Sequence, residues 1–239
     1  MKRRVGILGG MGPQATVLIM QKLLAVVQGQ DDADHIPLIV DQNTQVPSRI
    51  RHLLEGNGDD PGPVLADMAR RLVAGGAEAL AMPCNTAHYY AAKIKAAVTV
   101  PFLDMVALST AHAAELTGPD SCIGILASPA VRKVGLFDAG LAKHRLKGLY
   151  ATDEVAMLAA IRQIKAEGPQ PLARATLQAA SEELLARGAA VQMIACTEFS
   201  LIVDSVAQGA IIFDTLDLLV QAIKEFALPR GAKEEQVAV

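Results

Sequence analysis

The sequence predicts an α/β protein built from two similar halves, each a mainly parallel sheet flanked by helices. Three observations carry that prediction. Short apolar runs alternate with segments of helical period along nearly the whole chain of 239 residues. Apolar residues make up 51% of it and aromatics only 3%, so Ala, Val, Leu and Ile fill the interior, as suits helices packed on parallel strands. Three landmarks then recur in the same order, about half a chain apart.

Val5-Gly6-Ile7-Leu8 reads as a buried strand, Gly9 to Pro13 as a tight loop, and Gln14 to Val27 as a helix. Ile36 to Asp41 is a second strand, closed by the polar loop Gln42 to Ser48. Glu55 to Gly62 is a loop, and Val64 to Ala74 has apolar residues at helical spacing, stopped by Gly75-Gly76. Ala79 to Met82 is the next strand, followed by Cys84 and a helix through Ala97. Strands separated by such helices build βαβ units and a parallel sheet. Thr215 to Leu228 is an amphipathic helix ended by Pro229-Arg230-Gly231, and residues 229–239 are expected to form a mobile tail.

The repeat governs the functional argument. Val5-Gly6-Ile7-Leu8 recurs as Ile123-Gly124-Ile125-Leu126, 118 positions later. Ala81-Met82-Pro83-Cys84-Asn85-Thr86 recurs in outline as Met193-Ile194-Ala195-Cys196-Thr197-Glu198, an offset of 112. Pro101-Phe102-Leu103-Asp104 resembles Ile211-Ile212-Phe213-Asp214, an offset of 110. Each match is short, but the ordered set describes a duplicated unit that delivers one cysteine from each half.

Several function classes are disfavoured. A net charge of −3, from 22 Lys+Arg and 25 Asp+Glu, leaves neither a basic nucleic-acid footprint nor an acidic tail. Met1-Lys2-Arg3-Arg4 followed by an uncharged stretch imitates a secretory signal. Gly9-Gly10-Met11-Gly12-Pro13-Gln14 interrupts it, and it is too short for a bilayer, which needs about 20 apolar residues. Cys84, Cys122 and Cys196 are too few and too scattered for a disulfide framework. The expectation is a soluble cytoplasmic protein without a nucleic-acid or membrane partner.

Cys84 and Cys196 fall at carboxyl ends of strands, where open α/β sheets bind ligands. Each is expected to open a helix, whose dipole and free N–H groups favour thiolate. Asn85, Thr86 and Thr197 could cap those helices or hold a carboxylate. Either cysteine alone reads as a small buried hydrophobe. Two at repeat-equivalent strand ends read as function, whereas Cys122 reads as inert core. Inverting a stereocentre needs a base on one face and an acid on the other, which facing halves provide. A metal site would need clustered ligands, and a redox dithiol C-x-x-C; neither pattern is present, and His35, His52, His88, His112 and His144 are scattered. Of these, His88 lies one turn beyond Cys84. Gly9 to Pro13 fits neither nucleotide-loop motif.

Gly9-Gly10-Met11-Gly12-Pro13, Pro83-Cys84-Asn85-Thr86-Ala87-His88 and Ala195-Cys196-Thr197-Glu198 together resemble the cofactor-independent aspartate/glutamate racemases, over the chain to about Leu228. The resemblance is to the aspartate branch. Glutamate racemases typically open with Asp-Ser and carry Cys-Thr-His in the later motif; here the first loop differs and Glu198 stands where that His would be. Ala195 replaces the usual Gly before the second cysteine.

The resemblance implies two α/β domains with the active site in the inter-domain cleft, as a homodimer. The C-terminal helix would pack back onto the first domain, giving 1–99 with 211–228 as one domain and 100–210 as the other. Cys84 and Cys196 match the catalytic thiols. Met11, Asn85, Thr86 and Thr197 match positions holding the amino-acid group, and Arg49 and Lys165 match carboxylate ligands. Physics agrees that a dicarboxylate needs such cations, though the residues alone do not separate Arg49 from Arg51. The expected activity is interconversion of L- and D-aspartate, with glutamate a less favoured substrate, and without cofactor or metal. A maleate isomerase-like enzyme or a silent binding module for acidic amino acids are the alternatives.

Overall fold

The structure is a computed structural model that describes residues 1–228; the expected tail, 229–239, lies outside the described residues. The first sheet holds β1 (Val5–Gly9), β2 (Leu38–Gln42), β3 (Ala79–Ala81) and β4 (Phe102–Leu103), with helices α1 (Pro13–Val26), α2 (Gly62–Ala74) and α3 (Ala91–Ala97). After α4 (Met105–Leu116), the second sheet holds β5 (Cys122–Ala127), β6 (Lys147–Tyr150), β7 (Val191–Ala195) and β8 (Ile211–Asp214). Its helices are α5 (Pro129–Lys133), α6 (Asp138–Lys143), α7 (Glu154–Glu167) and α8 (Pro171–Ala186), and α9 (Thr215–Ala227) ends the described chain. The strand orders are β2-β1-β3-β4 and β6-β5-β7-β8, with every pairing parallel.

β1, β3 and β7 are buried along their whole length, because helices cover both faces of a parallel sheet. α2 buries Leu65, Ala66, Met68, Ala69 and Leu72, one stripe at helical spacing. It ends as expected: the Gly75 N–H donates to the Arg71 carbonyl, and Gly76 follows at φ +95°.

The repeat is a repeat of register. Val5 pairs with Ala79 as Ile123 pairs with Val191, and Leu80 pairs with Phe102 as Gln192 pairs with Ile212. Gly6 and Gly124 are equivalent and needed for the same reason. A Cβ on Gly6 would sit 2.8 Å from Leu80 Cδ2, and one on Gly124 2.8 Å from Gln192 Cγ.

The division of the chain differs from the expected 99/100 and 210/211 boundaries. Phe102–Leu103 closes the first sheet and Ile211–Asp214 closes the second. Each sheet therefore completes its last strand before the chain crosses. Asp104 caps α4 at one crossing, accepting from the N–H groups of Val106 and Ala107. Asp214 caps α9 at the other, accepting from Leu216. The crossing helices are largely exchanged: α4 leaves Met105 in the core of Val5, Ile7 and Ile19 but sends Ala113 into that of Ile123 and Ile125, whereas Leu216, Leu219 and Ile223 of α9 join the first of these. Among the described residues no helix is long and apolar enough to cross a membrane.

Candidate active site

A cleft of about 430 Å³, counting its open mouth, lies where the carboxyl ends of the two sheets face each other. Met11, Arg49, Cys84, Asn85, Thr86, Lys165, Cys196 and Thr197 all line it, so the structure brings together every residue singled out for the site. Arg51 is not among the lining residues and is exposed, which separates it from Arg49.

The two thiols are equivalently placed. Cys84 stands five residues beyond the Ala79–Val5 pairing and Cys196 five beyond the Val191–Ile123 pairing. Both are 7% exposed, and neither is in a disulfide. The turns beyond them depart from expectation. No α-helix opens at either cysteine: a five-residue 3-10 helix spans Thr86–Tyr90, and another spans Phe199–Ser205 with non-helical backbone at Ile202. Such short pieces carry little aligned dipole. Nor do the polar neighbours cap them. Asn85 Nδ2 donates instead to Thr215 Oγ1 at 2.9 Å, and Thr197 Oγ1 donates to the Pro83 carbonyl at 3.0 Å, tying one half to the other beside both thiols.

The thiolate-favouring environment expected at Cys196 is reversed. Its Sγ donates to Glu198 Oε2 at 2.9 Å. Burial pushes the thiol pKa well up, the Glu198 charge and hydrogen bond push it further, and Lys165 opposes them only in part. Lys165 Nζ, from the last turn of α7, lies 3.3 Å from Glu198 Oε1. Burial draws the Lys165 ammonium down, but Glu198 and the two thiols outweigh it and hold its pKa above the ordinary lysine value.

Arg49 is anchored by Nη1 donating to the carbonyls of Val46 and Pro47, at 3.3 and 3.0 Å. Its Nε and the Asn85 Oδ1 are buried without a hydrogen-bond partner among the described residues. Both residues line the cleft, and a buried donor and acceptor without partners call for polar groups such as a charged ligand brings. His88 is near but does not line the cleft. Its Nε2 accepts from the Met105 N–H at 3.1 Å, which leaves Nδ1 to donate to the Cys84 carbonyl at 2.8 Å. That bonding supports the neutral ring, and burial draws its pKa down. The histidine thus holds the turn carrying Cys84.

Sequence reasoning left out Glu198 and Ser128 as site residues, though both line the cleft. Ser128 was findable, because it follows β5 at the repeat position of Gly10. Glu198 showed only as a departure from a motif. Among the described residues no group of three or more His, Cys, Asp or Glu side chains is placed to hold a metal ion.

Known proteins share this fold. A broad-specificity amino-acid racemase of Bacillus subtilis (strain 168), RacX, is 31% identical over 106 residues, 43% of this chain and 45% of RacX. The chain thus matches less than half the length of that relative. The aspartate racemase of Picrophilus torridus superposes with TM-score 0.82 at 23% identity, covering 94% of each chain. An aspartate racemase homologue from Pyrococcus horikoshii OT3 gives 0.73 at 19%, covering 95% of this chain and 99% of the other. A Francisella tularensis subsp. tularensis SCHU S4 glutamate racemase gives 0.65 at 14%, covering 93% and 80%. These structures share the two-sheet α/β fold. The family described as Asp/Glu/hydantoin racemase matches residues 8–223, and with that span, which includes both strand-end cysteines, the chain belongs to the Asp/Glu/hydantoin racemase family.

Proposed function

We propose that this protein interconverts the enantiomers of an acidic amino acid, aspartate first, using Cys84 and Cys196 as opposed acid and base and no cofactor. The observation that carries the reading is the pair of register-equivalent cysteines lining one cleft from opposite halves. A substrate between them offers one face of its α-carbon to each sulphur. One thiolate takes the α-proton while the other thiol delivers a proton to the opposite face.

The charges of the lining favour a dicarboxylate. Arg49 and Lys165 line the cleft and offset the charges of Glu198 and the catalytic thiolate, and each is a cation that a substrate carboxylate can bond. The open Asn85 Oδ1 is an acceptor for the α-ammonium. The proposal retains a homodimer, as the family resemblance implies, which light scattering reads out, and a cytoplasmic location.

The test is incubation with each enantiomer of aspartate in heavy water, followed by chiral chromatography and the α-proton NMR signal. Both enantiomers should interconvert with deuterium entering at the α-carbon, and chelator or hydroxylamine should leave the rate unchanged. Absence of α-exchange with aspartate, glutamate and the other common amino acids would reject the racemase in favour of a binding module.

A further inference from the structure

We infer that Glu198 is the positioning residue that assigns the resting proton of this site: it holds Cys196 as the thiol, so that Cys196 begins as the acid and Cys84 as the base. The inference rests on the two-thiol proposal and adds an asymmetry that the repeat by itself would not produce.

The asymmetry is one of substitution at equivalent positions. Two residues after Cys84 stands Thr86; two residues after Cys196 stands Glu198. The carboxylate has one oxygen on the Cys196 sulphur at 2.9 Å and the other 3.3 Å from Lys165 Nζ. It is 8% exposed, so its contact with the buried Cys196 sulphur is shielded from bulk water, while the Lys165 side chain keeps 39% of its surface in solvent. Since a carboxylate can only accept, the proton in the short contact belongs to sulphur. Cys84 has no such partner, because the Thr86 hydroxyl carries no charge and His88 bonds the Cys84 carbonyl, not its sulphur.

The groups facing Cys196 are few. Glu198 comes from its own turn and Lys165 from α7, while Cys84 and Arg49 line the cleft from the first half. Lys165 would stabilise a thiolate on either sulphur, and its ammonium feels both. Glu198 decides between them by neutralising Lys165 on the Cys196 side and accepting the hydrogen bond of the Cys196 thiol. Burial raises the Cys196 pKa, and the charge and hydrogen bond of Glu198 raise it further against Lys165.

The resulting cycle balances. The Cys84 thiolate takes the α-proton and becomes a thiol; Cys196 gives its proton to the opposite face and becomes a thiolate. The resting state returns when solvent takes a proton from Cys84 and supplies one to Cys196. In the reverse direction the enzyme must enter with its protons exchanged. Glu198 disfavours that form, so the two enantiomers should differ in kcat and KM while their kcat/KM values stay equal, as an equilibrium constant of one demands.

The experiment is iodoacetamide labelling of the substrate-free protein across pH, with each cysteine followed by peptide mass spectrometry. Only thiolate reacts, and the two sulphurs are equally buried, so the pH midpoint reports charge. In the parent protein Cys84 should label with a midpoint at least about one pH unit below that of Cys196, a tenfold rate difference at neutral pH. Glu198→Gln keeps an acceptor for the thiol and removes the charge, and should move the Cys196 midpoint down by about one unit or more. Glu198→Asp should restore the high midpoint. Should Glu198→Gln fail to fold, Lys165→Met tests the same triad with the opposite sign, since the unpaired carboxylate then slows Cys196 labelling further. An unmoved Cys196 midpoint in Glu198→Gln, or equal midpoints in the parent, would overturn the inference. A purely structural loss would lower racemisation at every pH, whereas loss of the assigned proton should shift its pH optimum downward. Labelling needs no substrate, so its failure is separate from any failure of the racemase reading in heavy water.

Discussion

At the end of β3 the chain runs Cys84-Asn85-Thr86; at the end of β7 it runs Cys196-Thr197-Glu198. Around these two stretches the halves repeat each other in frame and differ in chemistry. The turn after each cysteine is tied to the next crossing of the chain, but by different groups. In the first half His88 accepts from the Met105 N–H; in the second Ser200 Oγ donates to Asp214 Oδ1 at 3.0 Å. Behind the strands, Leu80 lies in an apolar core, whereas its counterpart Gln192 is equally buried, accepting from Ser181 Oγ and donating to the carbonyls of Ser181 and Ala189. The lesson is that register and strand ends are held fixed by backbone geometry. The polar fillings vary freely as long as each buried group finds a partner.

The sharpest way to break the comparison is to remove one thiol at a time. Cys84→Ser and Cys196→Ser should each lower racemisation by about 10²–10⁴-fold, the usual contribution of a positioned acid or base. In heavy water each should retain some exchange, with opposite enantiomers, because one base can remove and return a proton on its own face. Exchange of the same enantiomer by both variants would show that the halves do not serve opposite faces.

A smaller effect is expected from the cations. Arg49→Ala should raise KM for aspartate by about 10–100-fold, as loss of a charge-assisted pair predicts, while Arg51→Ala, outside the lining, should change it little. Equal effects would return Arg49 to the solvated surface.

The paired glycines sharpen the comparison in the core. Gly6→Ala would place its Cβ 2.9 Å from Ala77 Cβ as well as against Leu80, and Gly124→Ala 3.2 Å from Leu184 Cδ1 as well as against Gln192. Both should lose about 1–3 kcal/mol by overpacking, read from urea midpoints. Gly6→Ala should lose more, because an alanine Cβ has no rotamer to move to.

The smallest effect is one of sign, at the two caps. Asp214 is buried, and burial raises its carboxyl to about 6 against hydrogen bonds from Leu216 and Ser200. For Asp104 burial also pushes up, but a 2.7 Å bond from Lys95, with His88 and the Ala107 N–H, brings the net shift below 3.8. A carboxyl that binds its proton more tightly when folded adds stability as pH falls from about 6 towards 4 and adds least above 6; a lowered one adds stability above its unfolded value and loses it in acid. Asp214→Asn should therefore raise the urea midpoint at pH 7 and lose that advantage near pH 4, while Asp104→Asn should lower it at pH 7. The same loss at both caps would mean that the second cap is not held against its charge.

The fold was legible because its signals are local. An apolar run such as Val5 to Leu8 announces a strand buried on both faces, and three similar offsets announced the register of both sheets. The crossings were placed too early because Phe102–Leu103 is a strand of two residues in an apolar stretch, with nothing polar to mark where the first sheet stops. The cysteines were legible from strand ends. Lys165 was not, except by resemblance, since a lysine in a last helical turn is ordinary, and its partner Glu198 lies 33 positions away. The expected thiolate at Cys196 failed for the same reason: the rule about helix ends is local, while the charge that reverses it depends on which oxygen faces which sulphur.

The exchange of α4 and α9 bears on how the molecule is made. On a ribosome the first sheet emerges early, yet the apolar side formed by Val5, Ile7, Ile19 and Leu23 is covered by Leu216, Leu219, Val220 and Ile223, almost the last residues described. Until those are synthesised, that side faces water, and no native arrangement of the first half is closed. The nascent chain must then pass through a long interval with an uncovered parallel sheet, the kind of surface that chaperones hold and aggregates recruit. A stop codon between residues 199 and 215 would leave that surface open permanently, so such truncated products should be insoluble although both thiols and the whole cleft lining are already present.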